Sequence, residues 1–280
     1  MLPALLVVAT FLFLPVLEAF VSSLYVFPRF GDTTPRFVGL ENYERLLEDR
    51  AALGSLGFTL IFVLVSVSLE IVLGLLLALV MHHTLRGQGL VRAAVLVPWA
   101  IPTVVVAVMW QYIFNDQYGL MNLLLYGEQV GRYQAWLAHT DSARLAIILA
   151  DVWKTAAFAA LLILAGLQTV PEELYEAAKL DGAGRLRRFF SVTLPLISPA
   201  ILIAVLFRMM DAFRVFDLVY VMTGGGHGTD VLQHYGYRVM FAHMERGYGA
   251  ALAVVTFLMI AVLAVVAIRL LGARLMRDEP

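Results

Sequence analysis

Ala250-Ala-Leu-Ala-Val-Val-Thr-Phe-Leu-Met-Ile-Ala-Val-Leu-Ala-Val-Val-Ala-Ile268 runs the length of a membrane crossing without one charged residue. A helix needs about 20 mainly apolar residues to cross the hydrocarbon core. A second stretch, Ala93 to Phe114, is also free of charge and contains Pro98 and Pro102. Each proline removes a backbone hydrogen bond, so this helix is expected to bend. Four further apolar runs qualify: Leu2 to Val26, Gly54 to Met81, Leu145 to Gln168 and Ala200 to Met222. Together they predict an all-α polytopic membrane protein, a single domain over residues 1–280 with six transmembrane helices.

Bulk composition agrees. The chain is 61% hydrophobic and only 15% charged, against about 45–50% and 25% in soluble domains. A net charge of −1 gives no clustered basic excess, so nucleic acid is excluded as a partner. The absence of cysteine excludes disulfides, thiolate metal sites and cysteine nucleophiles. Leu2 to Leu17 is apolar but lacks the basic leader and small-residue cleavage site of a signal peptide, so it is taken as a retained first span.

The connections differ in charge. His82 to Arg92 holds Arg86 and Arg92, Thr169 to Pro199 holds Lys179, Arg185, Arg187 and Arg188, and the C-terminus holds Arg274 and Arg277. By the positive-inside rule these face the cytoplasm, together with both termini. The opposite loops hold Arg29, Arg36, Arg45, Arg50, Arg132, Arg238 and Arg246, and five acidic residues offset the first group. No G-x-x-x-x-G-K-[ST] phosphate loop occurs. Gly224, Gly225, Gly226 and Gly228 lack the following lysine and a preceding strand, so they are expected to form an external turn. Any nucleotide chemistry belongs to another chain.

The loop from 169 to 199 reads Pro171-Glu-Glu-Leu-Tyr-Glu176-Ala177-Ala178-Lys-Leu-Asp181-Gly182-Ala183, then Val192-Thr-Leu194-Pro195. This spacing predicts a short helix, a tight turn and a second short helix. Thr169 and Glu172 have the spacing of a capping box, Pro171 falls in the first turn, and Gly182 is a natural helix stop. Leu174, Ala177 and Ala178 form a small apolar face.

This loop resembles the EAA motif of ABC importer permeases: E-A-A, three residues, G, nine residues, I, x, L-P. Glu176, Ala177, Ala178, Gly182, Leu194 and Pro195 match in identity and spacing, with Val192 in place of isoleucine. The resemblance implies that these residues, with Asp181, form a cytoplasmic coupling helix-turn-helix that docks on an ATPase subunit. Phe37 to Leu47, Gly119 to Leu123 and Val219 to Gly228 resemble the carbohydrate branch of the family, which commonly has proline where His227 stands.

What the resemblance implies is a transport subunit in a bacterial or archaeal inner membrane, not an enzyme, with no metal or cofactor of its own. A second permease would complete a heterodimer, two ATPase subunits would bind ATP and Mg, and an extracytoplasmic binding protein would deliver the sugar. Transport of a disaccharide such as trehalose or maltose would proceed by alternating access.

Charges lie within the spans. The fifth contains Arg208, Asp211, Arg214 and Asp217, which on insertion scales would cost about 10–14 kcal/mol against about 4–7 kcal/mol returned by its apolar residues. Spacing of three pairs Arg208 with Asp211 and Arg214 with Asp217. The fourth span carries Asp151, Lys154, Thr155 and Phe158. In the carbohydrate branch the matching segments line a sugar site near the membrane centre, so Asp151, Lys154, Thr155, Phe158, Arg208 and Asp211 are candidates to line it. Structural ion pairs between helices are the alternative. Glu18 and Glu70 are expected to make interhelical hydrogen bonds rather than a proton relay. The histidines lack metal-ligand spacing. Two other functions stay open: import of glycerol phosphate through Lys154, Arg208 and Arg214, and ion-coupled secondary transport through Glu18, Glu70 and Asp151.

Overall fold

Lipid offers the backbone no hydrogen-bonding partner, so a chain this apolar satisfies its amides within helices. The computed structural model describes residues 2–28, 34–83 and 87–275. Of the basic residues behind the charge asymmetry, Arg29, Arg86 and Arg277 lie outside the described residues, as does the side chain of Arg274.

Helix α1 (Leu2–Ser23) leads through a two-stranded antiparallel ribbon, β1 (Tyr25–Val26) and β2 (Arg36–Phe37), into α2 (Glu41–Glu48) and the long α3 (Arg50–His83). Next come α4 (Gln88–Ala100), α5 (Thr103–Ile113), α6 (Leu120–Tyr126) and α7 (Thr140–Leu167). The remainder comprises α8 (Glu172–Leu180), α9 (Arg185–Arg188), α10 (Leu194–Ala212), α11 (Asp217–Met222), α12 (Leu232–Tyr237) and α13 (Arg246–Leu275).

Four helical stretches are each long and apolar enough to cross a membrane: α3, α7, Arg185–Ala212 and the described part of α13. The pair α4 and α5 makes a fifth if taken as one broken span. The expected first span is helical throughout α1 and packs on α13, with Phe20 edge-on to Phe257 and Glu18 ion-paired to Arg246. Of this helix, Phe13–Ser23 counts only as a shorter apolar helix.

Two expectations are corrected. The third span is not one bent helix: α4 and α5 meet at 88°. Pro98 sits inside α4 without breaking it, whereas Ile101 is extended at φ −74°, ψ 133°. The ring of Pro102 excludes the residue before it from the α region, and the helix ends there. The fifth span lies earlier in the chain than expected: α9, a π-helical turn at Phe189–Thr193 and α10 run continuously from Arg185 to Ala212. Arg214 therefore falls in the turn before α11, and Asp217 opens α11. Of the four charges expected within this span, only Arg208 and Asp211 remain there.

Helix α7 is the hub. Gly74 of α3 fits against it so closely that a Cβ there would stand 2.9 Å from the Cβ of Ala159. Gly166 faces α10, where a Cβ would stand 2.5 Å from that of Ala200. Small residues allow such backbone approach, which dispersion then rewards. Phe58, Phe62, Ile147 and Phe213 fill one half of the bundle, and Ala78, Met81, Ile163 and Ile197 fill the half nearer α8.

At the far end from α8, Asp49 joins three elements. Its carboxylate accepts hydrogen bonds from Tyr235 (2.6 Å) and Tyr248 (2.7 Å), and from the amides of Ala51 (2.9 Å) and Ala52 (3.2 Å). Burial pushes this carboxyl up, but the four hydrogen bonds outweigh it and leave Asp49 below its ordinary value. Burial and the Asp49 charge together push Tyr235 up to about 12.

Candidate functional site

Two groups of residues singled out in the sequence occupy two separate places. The first lies at the loop after α7. Helix α8 ends in a Schellman motif: Ala183 N–H donates to the Ala178 carbonyl at 2.9 Å and Gly182 N–H to that of Lys179 at 3.1 Å. Gly182 has φ +76°, as the stop requires. The expected capping box does not form among the described residues: Pro171 is the N-cap, and Thr169 Oγ1 instead donates to the Gly166 carbonyl at 2.8 Å, closing the last turn of α7. Glu176, Ala177, Asp181, Gly182 and Pro195 are exposed, and Ala178 and Leu194 are half-buried. Leu180 and Leu186 are 88% and 77% exposed, apolar side chains held out on a polar knob. Tyr175 and Thr193 share a hydrogen bond at 3.0 Å that ties α8 to the π-helical turn.

The second place is a polar layer halfway along α7. The Arg208 guanidinium, 2% exposed, reaches Glu70 through Nε (2.5 Å to Oε2) and Nη2 (3.0 Å to Oε1). Its Nη1 lies 2.5 Å from Asp211 Oδ2, and Nη2 lies 3.4 Å from Asp151 Oδ2. Thr155 Oγ1 contacts both Glu70 Oε1 (2.9 Å) and the Asp151 carbonyl (2.6 Å). Burying a charge is costly unless it is paired and hydrogen-bonded, and this cluster meets both conditions. The pairing of Arg208 with Asp211 expected from their spacing is present. Glu70 makes the interhelical hydrogen bonds expected of it, to Arg208 and Thr155, although the sequence named neither partner. An acid in one span and a base in another were the signal that could have joined them.

Lys154 and Phe158 do not join the cluster around Arg208. Lys154 Nζ donates to the Trp99 carbonyl at 3.2 Å. In an unbroken helix that carbonyl would accept from residue 103, so Lys154 satisfies an acceptor freed by the break at Pro102. Phe158 stacks on Trp99 with ring centroids 5.7 Å apart and stands edge-on to Phe207 at 6.2 Å. Trp99 and Phe207 are exposed. One turn beyond Phe207 on the same face of α10, Asp211 keeps 70% of its side chain exposed. The site therefore has a closed side, where Arg208 is held by carboxylates, and an open side, where Asp211 lies one turn from Phe207, a ring grouped with Phe158 and Trp99.

The glycine turn after α11 is anchored by Arg144 Nε on the Gly228 carbonyl at 2.8 Å. His227 adopts φ +52° there, a conformation closed to proline, whose ring fixes φ near −65°.

Residues 70–277 match the family model described as binding-protein-dependent transport system inner membrane component. The trehalose/maltose transport system permease protein MalF of Thermococcus litoralis is 44% identical over 260 residues, covering 92% of this chain and 88% of that one. The trehalose transport system permease protein SugA of Mycobacterium tuberculosis is 46% identical over 245 residues, covering 87% and 78%. The sn-glycerol-3-phosphate transport system permease protein UgpA of Yersinia pestis is 34% identical over 271 residues, covering 96% and 91%. In fold, the chain is similar to one in a crystal structure of a bacterial alginate ABC transporter, with a TM-score of 0.83 at 22% identity, covering 95% and 90%. The chain belongs to the family of binding-protein-dependent transport system inner membrane components and is a transport subunit rather than an enzyme.

Proposed function

We propose that this chain is the permease subunit of an ATP-driven importer that carries a sugar of disaccharide size, such as trehalose or maltose, by alternating access. It pairs with a second permease, and two ATPase subunits bind ATP and Mg. An extracytoplasmic binding protein supplies the substrate, and both termini and the α8–α9 knob face the cytoplasm of a bacterium or archaeon. The knob, with its left-handed Gly182 and outward Leu180 and Leu186, docks on an ATPase subunit and transmits its movement through the continuous helix from Arg185 to Ala212.

One observation carries the substrate class: the open side of the polar layer offers Asp211 one turn from Phe207, which groups with Phe158 and Trp99. Sugars present hydroxyls to a charged acceptor and an apolar ring face to aromatic rings. A phosphate substrate fits less well. Arg208 is buried and faces three carboxylates, Lys154 is engaged by Trp99, and Arg214 lies outside the span in the turn before α11, so these bases do not converge on a phosphate. Proton-coupled transport fits less well again, because Glu70 and Asp151 both lie against Arg208 and Glu18 is paired with Arg246.

The test is uptake by the complex reconstituted with the subunits encoded beside it. ATP-dependent accumulation of labelled trehalose or maltose, without accumulation of glycerol 3-phosphate, is expected. Accumulation of glycerol 3-phosphate alone, or uptake by this chain alone under an ion gradient, overturns the reading.

A further inference from the structure

Beneath the α8–α9 knob, the end of α3, the end of α7 and the start of the Arg185–Ala212 helix enclose a cavity of about 840 Å³. Its polar lining is strongly one-sided. Arg185, Arg188, His82, His83 and the Tyr175 hydroxyl all present donors, and Glu172 is the one acid on the wall. Thr193 and the apolar Leu79, Leu167, Val170 and Phe189 supply the rest of that wall, a largely apolar surround in which charge is weakly screened. Among the described residues, Arg185 and Arg188 take part in no ion pair, and Arg188 Nε is buried with no hydrogen-bond partner. Arg92, on the neighbouring α4, also has a buried Nε without a partner, and its charge reaches His82. The rings of His82 and His83 lie edge-on, 5.4 Å apart.

An unpartnered, buried guanidinium N–H is costly, a cost that Arg208 avoids with three carboxylates around it. Beside the knob the missing acceptors are those of an oxyanion. We propose that this cavity is a binding site for a phosphate-bearing anion, held by Arg188 and Arg185 with His82 and His83 beside them. Phosphate suits the lining because its oxygens accept several hydrogen bonds at once and match the planar fork of arginine. Residues from α3, α8 and α9 would share one ligand, so occupancy ties the knob to the bundle. The occupant is either a phospholipid headgroup or a free phosphate group from the aqueous phase. Only the side of the membrane that supplies it rests on the proposed function; the site itself does not.

The experiment uses the complex purified with its partner subunits in nanodiscs. In discs of phosphatidylcholine alone, inorganic phosphate is titrated against thermal melting and heat of binding, with ionic strength held constant by chloride. A parallel set contains phosphatidylglycerol and no phosphate. Stabilisation by phosphate identifies a free anion as occupant, and stabilisation by phosphatidylglycerol alone identifies a headgroup. In either case Arg188→Gln is expected to weaken the effect about tenfold, as loss of one charge-assisted contact does. Because that variant can impair folding, His83→Gln, at an exposed ring, serves as a second, with an expected loss of severalfold. The proposal is overturned if phosphate and phosphatidylglycerol stabilise no more than chloride, or if both variants respond as the wild type does. Sugar-stimulated ATP hydrolysis in the same preparation reports on the function separately: its absence while phosphate still binds counts against the transport reading and not against the site.

Discussion

Arg208 on α10 and Glu70 on α3 meet in the centre of the bundle, Nε to Oε2 at 2.5 Å, although 138 positions separate them in sequence. Neither side chain has more than 2% of its surface exposed. The pair fixes the spacing of two spans that α7 also holds through Gly74 and Gly166, and Thr155 adds a hydrogen bond from α7 itself. On the open side, Asp211 is oriented by Arg208, and Phe207 precedes Arg208 on the same helix.

Removing the arginine is predicted to destabilise the protein by about 3–5 kcal/mol, because the Glu70 and Asp151 carboxylates then stay buried without a base. Arg208→Met should therefore lower the melting temperature of the purified complex sharply. Adding Glu70→Leu and Asp151→Leu removes the stranded charges and should recover most of the loss. A triple variant as unstable as the single one would show that packing, and not charge, holds α3 to α10.

Asp211 separates binding from stability. Its carboxylate is exposed and an asparagine keeps an acceptor for Arg208, so Asp211→Asn should change stability by no more than about 1 kcal/mol. Loss of a charged acceptor for a sugar hydroxyl costs about 1.5–3 kcal/mol, which raises KM for uptake at least about tenfold while the complex stays inserted. Phe207→Ala should act in the same direction. Unchanged KM in both variants would remove the open face from the substrate path.

The sequence made some of this arrangement legible and concealed the rest for identifiable reasons. Apolar runs located the long helices, since length and lack of charge are sufficient for a crossing, and the chargeless run ending at Ile268 lies wholly within α13. Pro102 announced a break, but its 88° angle depends on the extended Ile101, which a pattern of polarity does not encode. The end of α10 at Ala212 carries no glycine or proline signal between residues 200 and 222, so the periodic charges from Arg208 to Asp217 looked like one helix. Glu70 was expected to hydrogen-bond between helices, and does, but nothing local names Arg208 as its partner. His227, read as a minor departure, sits at a positive φ that proline could not adopt.

Acidity is predicted to loosen the end of the bundle far from the knob. Asp49 in the folded protein lies below its ordinary value of 3.8. A depressed carboxyl contributes stability that is present above the unfolded value and is lost as pH falls through the lower folded one. Melting temperature should therefore fall as pH drops below about 3.8, and Asp49→Asn should flatten that fall while lowering stability at neutral pH. Tyr235 works in the opposite sense: its contribution is complete below 10.0 and is lost as pH rises towards about 12. Parallel acid profiles for wild type and Asp49→Asn would dissociate the carboxylate from the packing of α12.

Gly182 and Glu176 test the transmission of force. Gly182 sits at φ +76° with nothing within 4 Å of where a Cβ would be, so bulk there meets no neighbour within the chain. A valine at this position pays about 1–2 kcal/mol for the left-handed backbone, enough to unwind the turn between α8 and α9 while the spans stay intact. Glu176 is exposed, so Glu176→Lys reverses a charge on the face of the knob without disturbing the bundle. In both Gly182→Val and Glu176→Lys, ATP hydrolysis by the assembled complex should persist while sugar uptake falls by about tenfold or more, the signature of a broken linkage. The ratio of sugar imported to ATP hydrolysed is the measurement, because a fall in both together would indicate poor assembly instead. If the ratio stays at the wild-type value in both variants, the knob does not transmit the stroke of the ATPase.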